Sequence, residues 1–191
     1  EVRGVDRTVA NTTPVWHAGR LLMCKEDGRP YRIDPQTLET LGSYDFGGKL
    51  QSETMTAHVR VDPVTGELFF YGYEADGLAS TKIAYCIADK DGNLTSEQFF
   101  DAPYCSMMHD FTITEHYALF PIYPTTSNLE RLKAGGDHWH HEPDLESWLG
   151  ESTLMKSTFA KCVIISGMID RNVPGAARKT GRQVTFSADL I

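Results

Sequence analysis

Short apolar runs closed by turn residues fill the chain from Thr12 to Tyr123. Val15-Trp16-His17 runs into an Ala18-Gly19 turn, and Arg20 to Cys24 returns from it. Asp27-Gly28 is a hairpin signal ahead of Tyr31-Arg32-Ile33, and Asp34-Pro35 marks the next reversal. The same grammar recurs at Asp62-Pro63-Val64-Thr65-Gly66, Ala75-Asp76-Gly77 and Asp91-Gly92-Asn93. Between these turns, residues 67–73, 82–87 and 98–100 are rich in β-branched and aromatic side chains and predict strands.

The hairpins repeat. Turns at Ala18-Gly19, Thr65-Gly66 and Glu115-His116 are spaced by about 47 to 50 residues, with several short strands per period. A period of that size predicts the blades of a β-propeller. A sandwich with accidental spacing is the alternative. In two successive units a histidine opens the inner strand: His58 before Val59-Arg60-Val61, and His109 before Asp110-Phe111-Thr112-Ile113. Units arranged about a common axis would bring both imidazoles to the same end of it, where they are plausible metal ligands. With Gly19 laid on Gly66, the first unit offers Asn11, next to Thr12, in that slot. Two ligands do not make a tight site, so further ones are expected from sequence beyond this chain.

From about Ser127 the texture changes. Asn128 to Lys133 predicts a short helix, and Gly135-Gly136-Asp137-His138-Trp139-His140-His141 predicts a loop. Residues 1–150 carry a net charge of −11 and residues 151–191 one of +3. The expected division is propeller blades over 1–126, a loop and short helix over 127–150, and a divergent, irregular tail over 151–191.

At 191 residues the chain is long enough for one core, and its 41% apolar content fits a globular protein. The formal charge of −8, with no basic stripe, argues against a nucleic-acid partner. No apolar run reaches the length of a membrane span, and no signal peptide opens the chain. Glu1 enters mid-pattern, so the chain is read as continuing upstream. Cys24, Cys86, Cys105 and Cys162 are scattered without a C-x-x-C pair, which suits a reduced, cytoplasmic protein better than a disulfide framework.

Other candidates for chemistry are weaker. His138, His140 and His141 lie in a Gly-Gly loop with no flanking strand to fix their geometry. His17 and His116 read as turn-side or packing residues. Lys25-Glu26 would ordinarily be a solvated hairpin end. At a propeller face the lysine could instead hold a phenolate, and the carboxylate could orient a ligand histidine through its free N–H.

Five strings, in order and at matching spacing, carry a resemblance: Ala10-Asn11-Thr12, residues 15–22, residues 25–31, residues 56–63, and Met108-His109-Asp110-Phe111. Together they closely resemble the carotenoid cleavage oxygenases over roughly residues 3 to 150. The Lys25-Glu26 version of the third string looks most like the lignostilbene dioxygenase, stilbene-cleaving branch. The resemblance implies an all-β fold, about three blades of a seven-bladed propeller, around a non-haem Fe(II) held by four histidines. It places two iron ligands at His58 and His109, a supporting carboxylate at Glu26, and a threonine beside an open iron position at Thr12. It places the residue that binds a substrate 4-hydroxyl at Lys25.

The third and fourth iron histidines have no counterpart here, and nothing after Gly150 matches their surroundings. The expectation is therefore a truncated piece of an enzyme that cleaves an alkene with O2 into two aldehydes. A 4-hydroxystilbene is the favoured substrate, and the piece by itself is expected to be inactive. The alternatives are an apocarotenoid-cleaving relative, in which Lys25 is only a surface charge, and a propeller piece that binds or scaffolds without catalysis.

Overall fold

In the computed structural model, residues 9–114, 117–153 and 163–165 are described. Three four-stranded antiparallel sheets follow one another along the chain, and the protein is a partial β-propeller. The first sheet is β1 (Thr13–His17), β2 (Arg20–Cys24), β3 (Tyr31–Ile33) and β4 (Thr40–Ser43), paired in chain order. The second is β5 (Arg60–Val61), β6 (Leu68–Gly72), β7 (Lys82–Ala88) and β8 (Leu94–Asp101), again in order.

The third sheet begins with β9 (Thr112–Ile113) and β10 (Tyr117–Ile122). The chain then leaves the sheet through β11 (Thr125–Thr126), the short helix α1 (Leu129–Lys133) and β12 (His140–His141). It returns as β13 (Trp148–Thr153), which pairs with β10, and β14 (Val163–Ile165) pairs with β13. Three such meanders in succession are blades and leave no room for the sandwich alternative.

The texture-based boundaries at residues 126 and 150 do not follow this sheet. β13 runs across residue 150, because the outer edge of β10 presents backbone groups that need a partner strand. The rest of the tail, residues 154–162 and 166–191, lies outside the described residues, as does the turn at Glu115-His116. The helix starts at Leu129 because Asn128 caps it, its side chain accepting from the N–H groups of Glu130 and Arg131.

The middle blade explains the sequence of β6. Leu68 and Phe70 join Val15, Leu22 and Cys24 in the core between the first two sheets. Phe69 and Tyr71 turn the other way, toward Phe111, Phe120 and Ile122 in the core between the second and third. A strand buried on both faces reads as an unbroken apolar run, and all five residues of β6 are buried. Gly72 ends the strand where no side chain fits, since a Cβ there would strike the Thr54 carbonyl and lie 2.8 Å from Ser52 Oγ.

His17 is a packing residue. It is buried at the end of β1, and its Nε2 lies 2.9 Å from the Gly66 carbonyl in the turn of the second blade. The expected loop around His138 is partly ordered by pairing, with Thr125 and Thr126 opposite His141 and His140. Among the described residues, no helix is long and apolar enough to cross a membrane.

Candidate metal centre

His58 and His109 each precede the inner strand of a blade, β5 and β9 respectively. The stretch before His58 is held to its surroundings residue by residue. Met55 N–H donates to the Gly28 carbonyl at 3.0 Å, and Thr56 N–H to the Tyr71 carbonyl at 2.6 Å. The Thr56 hydroxyl then accepts from His58 N–H at 3.0 Å. On the other blade, the buried Tyr71 hydroxyl donates to the carbonyl of Met108, the residue before His109. Arg60 links the two segments, donating from Nη2 to Asp110 Oδ1 at 2.8 Å and to the Phe111 carbonyl at 3.0 Å. Both imidazoles therefore stand on backbone fixed from either side.

Their rings converge. His58 Nε2 and His109 Nε2 are 3.0 Å apart, with ring planes at 69°. His109 Nδ1 lies 2.6 Å from Glu26 Oε1, and the Tyr73 hydroxyl donates to Glu26 Oε2 at 2.8 Å. Burial, then the charge of Glu26, hold the Tyr73 hydroxyl above the usual tyrosine range, which keeps it a donor. Among the described residues, Glu26, His58 and His109 form the one group whose side chains could jointly hold a metal ion.

The donor set fits a divalent transition metal. Two nitrogens each about 2.1 Å from one ion are about 3 Å apart when they subtend a right angle at it. Both oxygens of Glu26 are engaged, Oε1 by His109 Nδ1 and Oε2 by the Tyr73 hydroxyl, so the two Nε2 atoms are the donors best placed to take an ion. A carboxylate on Nδ1–H leaves the Nε2 lone pair of the same ring free for a metal.

The other expected site residues, Lys25 and Thr12, have partners of their own. Lys25 follows β2 and forms an ion pair with Asp27 at 3.0 Å, its side chain about one third exposed. Thr12 is exposed at the entry to β1, and its N–H donates to the carbonyl of Cys24, directly before Lys25-Glu26. His138 lies against the buried Glu74, 3.1 Å from Oε1, and stacks on Trp139. Sequence reasoning passed over Tyr71, Tyr73, Thr56 and the Arg60–Asp110 pair. One signal was available: tyrosines two residues apart in a fully apolar run place two hydroxyls on one buried face, where each needs a partner.

The family model described as retinal pigment epithelial membrane protein matches residues 1–150. The chain belongs to this family, the carotenoid oxygenases. It is 50% identical over 149 residues to isoeugenol monooxygenase of Pseudomonas nitroreducens, covering 78% of this chain and 31% of that protein. It is 47% identical over 149 residues to lignostilbene-alpha,beta-dioxygenase isozyme III of Sphingomonas paucimobilis, covering 78% of this chain and 30% of that one. The solved lignostilbene dioxygenase of Pseudomonas brassicacearum matches with a TM-score of 0.75 at 43% identity, over 78% of this chain and 31% of its own. The chain thus spans about a third of the length of these carotenoid oxygenase relatives. A second family model, DEAD/H associated, matches residues 110–191, less than half of the chain and partly overlapping the first.

Proposed function

We propose that this carotenoid oxygenase chain supplies two of the imidazoles that hold Fe(II) in an enzyme cleaving an alkene with O2 into two aldehydes. The observation that carries this reading is the 3.0 Å approach of His58 Nε2 to His109 Nε2, with Glu26 on the free side of the His109 ring. The remaining ligands come from sequence beyond the matched part. Bound Fe(II) supplies open coordination positions and the electrons that activate O2 beside the alkene. The balance is one alkene and one O2 to two carbonyl products.

The residues of this chain have separate tasks. His58 and His109 present neutral Nε2 lone pairs. Glu26 keeps the proton of His109 on Nδ1, so that Nε2 stays available. Thr12, whose N–H donates to the Cys24 carbonyl just before Lys25-Glu26, would line the open side of the centre. Lys25, once released from Asp27, donates to the phenolic oxygen of a 4-hydroxystilbene and favours its ionised form. The ionised phenol pushes electron density through the ring into the alkene, where attack by oxygen follows. Lignostilbenes and isoeugenol, the compounds in the names of two relatives, both carry a 4-hydroxyphenyl group conjugated to the double bond, which supports that substrate class. The Lys25–Asp27 ion pair favours a second reading, an apocarotenoid substrate with Lys25 as a surface charge only.

A graft tests the proposal. Residues 9–150 replace the matched third of the Pseudomonas brassicacearum lignostilbene dioxygenase, and products from a 4-hydroxystilbene, isoeugenol and an apocarotenal are measured by chromatography. Iron-loaded graft that forms two aldehydes from the 4-hydroxystilbene supports the first reading. Cleavage of the apocarotenal alone supports the second. A folded, iron-loaded graft inactive on all three overturns both.

A further inference from the structure

Tyr71 and Tyr73 are two residues apart at the end of β6, so their rings share the face that packs on the third blade. Phenylalanine would fill that space equally well, yet both hydroxyls are engaged at the metal centre. The Tyr71 hydroxyl holds the Met108 carbonyl and so fixes the backbone that bears His109. The Tyr73 hydroxyl holds Glu26 Oε2, and the Tyr73 and Trp139 rings meet edge to face at 5.9 Å between centroids.

The exposure of the three groups gives Tyr73 its importance. The side chain of His109 is 61% exposed, and that of Glu26 only 14%. An imidazole so open to water has little packing to fix its ring angle, and its main anchor is the 2.6 Å contact from Nδ1 to Glu26 Oε1. Glu26 has three rotatable bonds, and its carboxylate stays aimed at His109 only while its second oxygen is also bound. Without the Tyr73 hydroxyl, that oxygen would lose its partner in a mostly buried position, and the carboxylate would turn toward water to regain one.

We propose that Tyr73 is a positioning residue of this centre: by donating to Glu26 Oε2 it locks Glu26 Oε1 onto His109 Nδ1 and holds the His109 ring with Nε2 facing His58. The rigidity of the core between two blades thereby reaches an exposed imidazole through two hydrogen bonds. This rests on the metal reading above for its purpose, though the geometry it predicts exists without metal.

Two readouts on the full 191-residue chain test it. The first is the His109 tautomer, read from long-range proton–nitrogen NMR spectra without metal, above about pH 8 where an ordinary imidazole is neutral. The second is anaerobic Co(II) affinity. The wild-type chain should hold His109 as the Nδ1–H form. Tyr73→Phe, which removes one oxygen from the core, should shift it to a mixture of tautomers and weaken Co(II) binding by about tenfold. Glu26→Ala should do the same, and adding Tyr73→Phe to Glu26→Ala should change neither readout further, because Tyr73 acts through Glu26.

An unmoved tautomer in Tyr73→Phe or in Glu26→Ala overturns the proposal, and so does an equal loss from Tyr73→Phe with and without Glu26. A wild-type chain that binds no Co(II), but whose His109 tautomer follows Tyr73, would end the metal reading and leave the positioning role intact. Co(II) binding through His58 and His109 with an indifferent Tyr73 would do the reverse.

Discussion

His58 Nε2 and His109 Nε2 meet at 3.0 Å although 51 residues separate them in the chain. Each imidazole stands just ahead of the inner strand of its own blade, and the blades are neighbours. The convergence follows from the repeat: equal positions in successive units arrive at the same end of the axis. The Arg60–Asp110 ion pair, beside the two histidines in sequence, ties the segments together at that point.

Gly72→Ala should destabilise the chain by about 1–3 kcal/mol, the usual range for forcing a methyl group into a packed interior. The added carbon would press on the Thr54 carbonyl and on Ser52 Oγ, and Thr54 in turn donates to the Tyr73 carbonyl at 2.6 Å. Urea denaturation gives the stability change. A variant as stable as wild type would show that the end of β6 is not packed against Ser52 and Thr54 as described.

Lys25→Met in the grafted enzyme should lower kcat/KM on a 4-hydroxystilbene by tenfold to a thousandfold with iron content unchanged. That corresponds to roughly 1.4 to 4 kcal/mol, a reasonable range for one charged hydrogen bond to the substrate. The side chain keeps most of its length and loses its charge. Undiminished activity would assign Lys25 to the surface pair with Asp27 and favour the apocarotenoid reading.

Cys24, Cys86 and Cys105 should be inert in the folded chain. All three are buried; burial pushes the Cys24 and Cys105 thiols up to about 12 and holds Cys86 well above the usual range. At pH 8 the thiolate fraction at Cys24 and Cys105 falls on the order of a thousandfold below that of a free cysteine. Pulsed alkylation with peptide mapping should label these positions in urea and leave them unlabelled in buffer. Rapid labelling of Cys24 in buffer would contradict the packing of the first two blades.

Much of the fold was legible because turn chemistry and strand propensity agree here. Arg20–Cys24 and Tyr31–Ile33 are strands at the residues their flanking turns predict. β4, Thr40–Ser43, was not legible, because it is largely exposed and lacks an apolar alternation. β13 was not legible either. It is a strand because β10 needs a partner, and that pairing joins residues about 30 positions apart, beyond any local pattern. At the site, the matching places of His58 and His109 could be read from the repeat. The Tyr73–Glu26 hydrogen bond could not, since it crosses from one blade to another and a tyrosine in an apolar run reads as core.

The central claim is that His58 and His109 together hold a divalent metal, and anaerobic Fe(II) titration of the 191-residue chain against a competing chelator tests it most directly. One weak but saturable site is expected, because two of its ligands lie beyond this chain; it should be lost in His58→Ala and in His109→Ala and kept when His138, His140 and His141 are all replaced by alanine. Binding that survives loss of either His58 or His109, or that disappears with the three loop histidines, would contradict it.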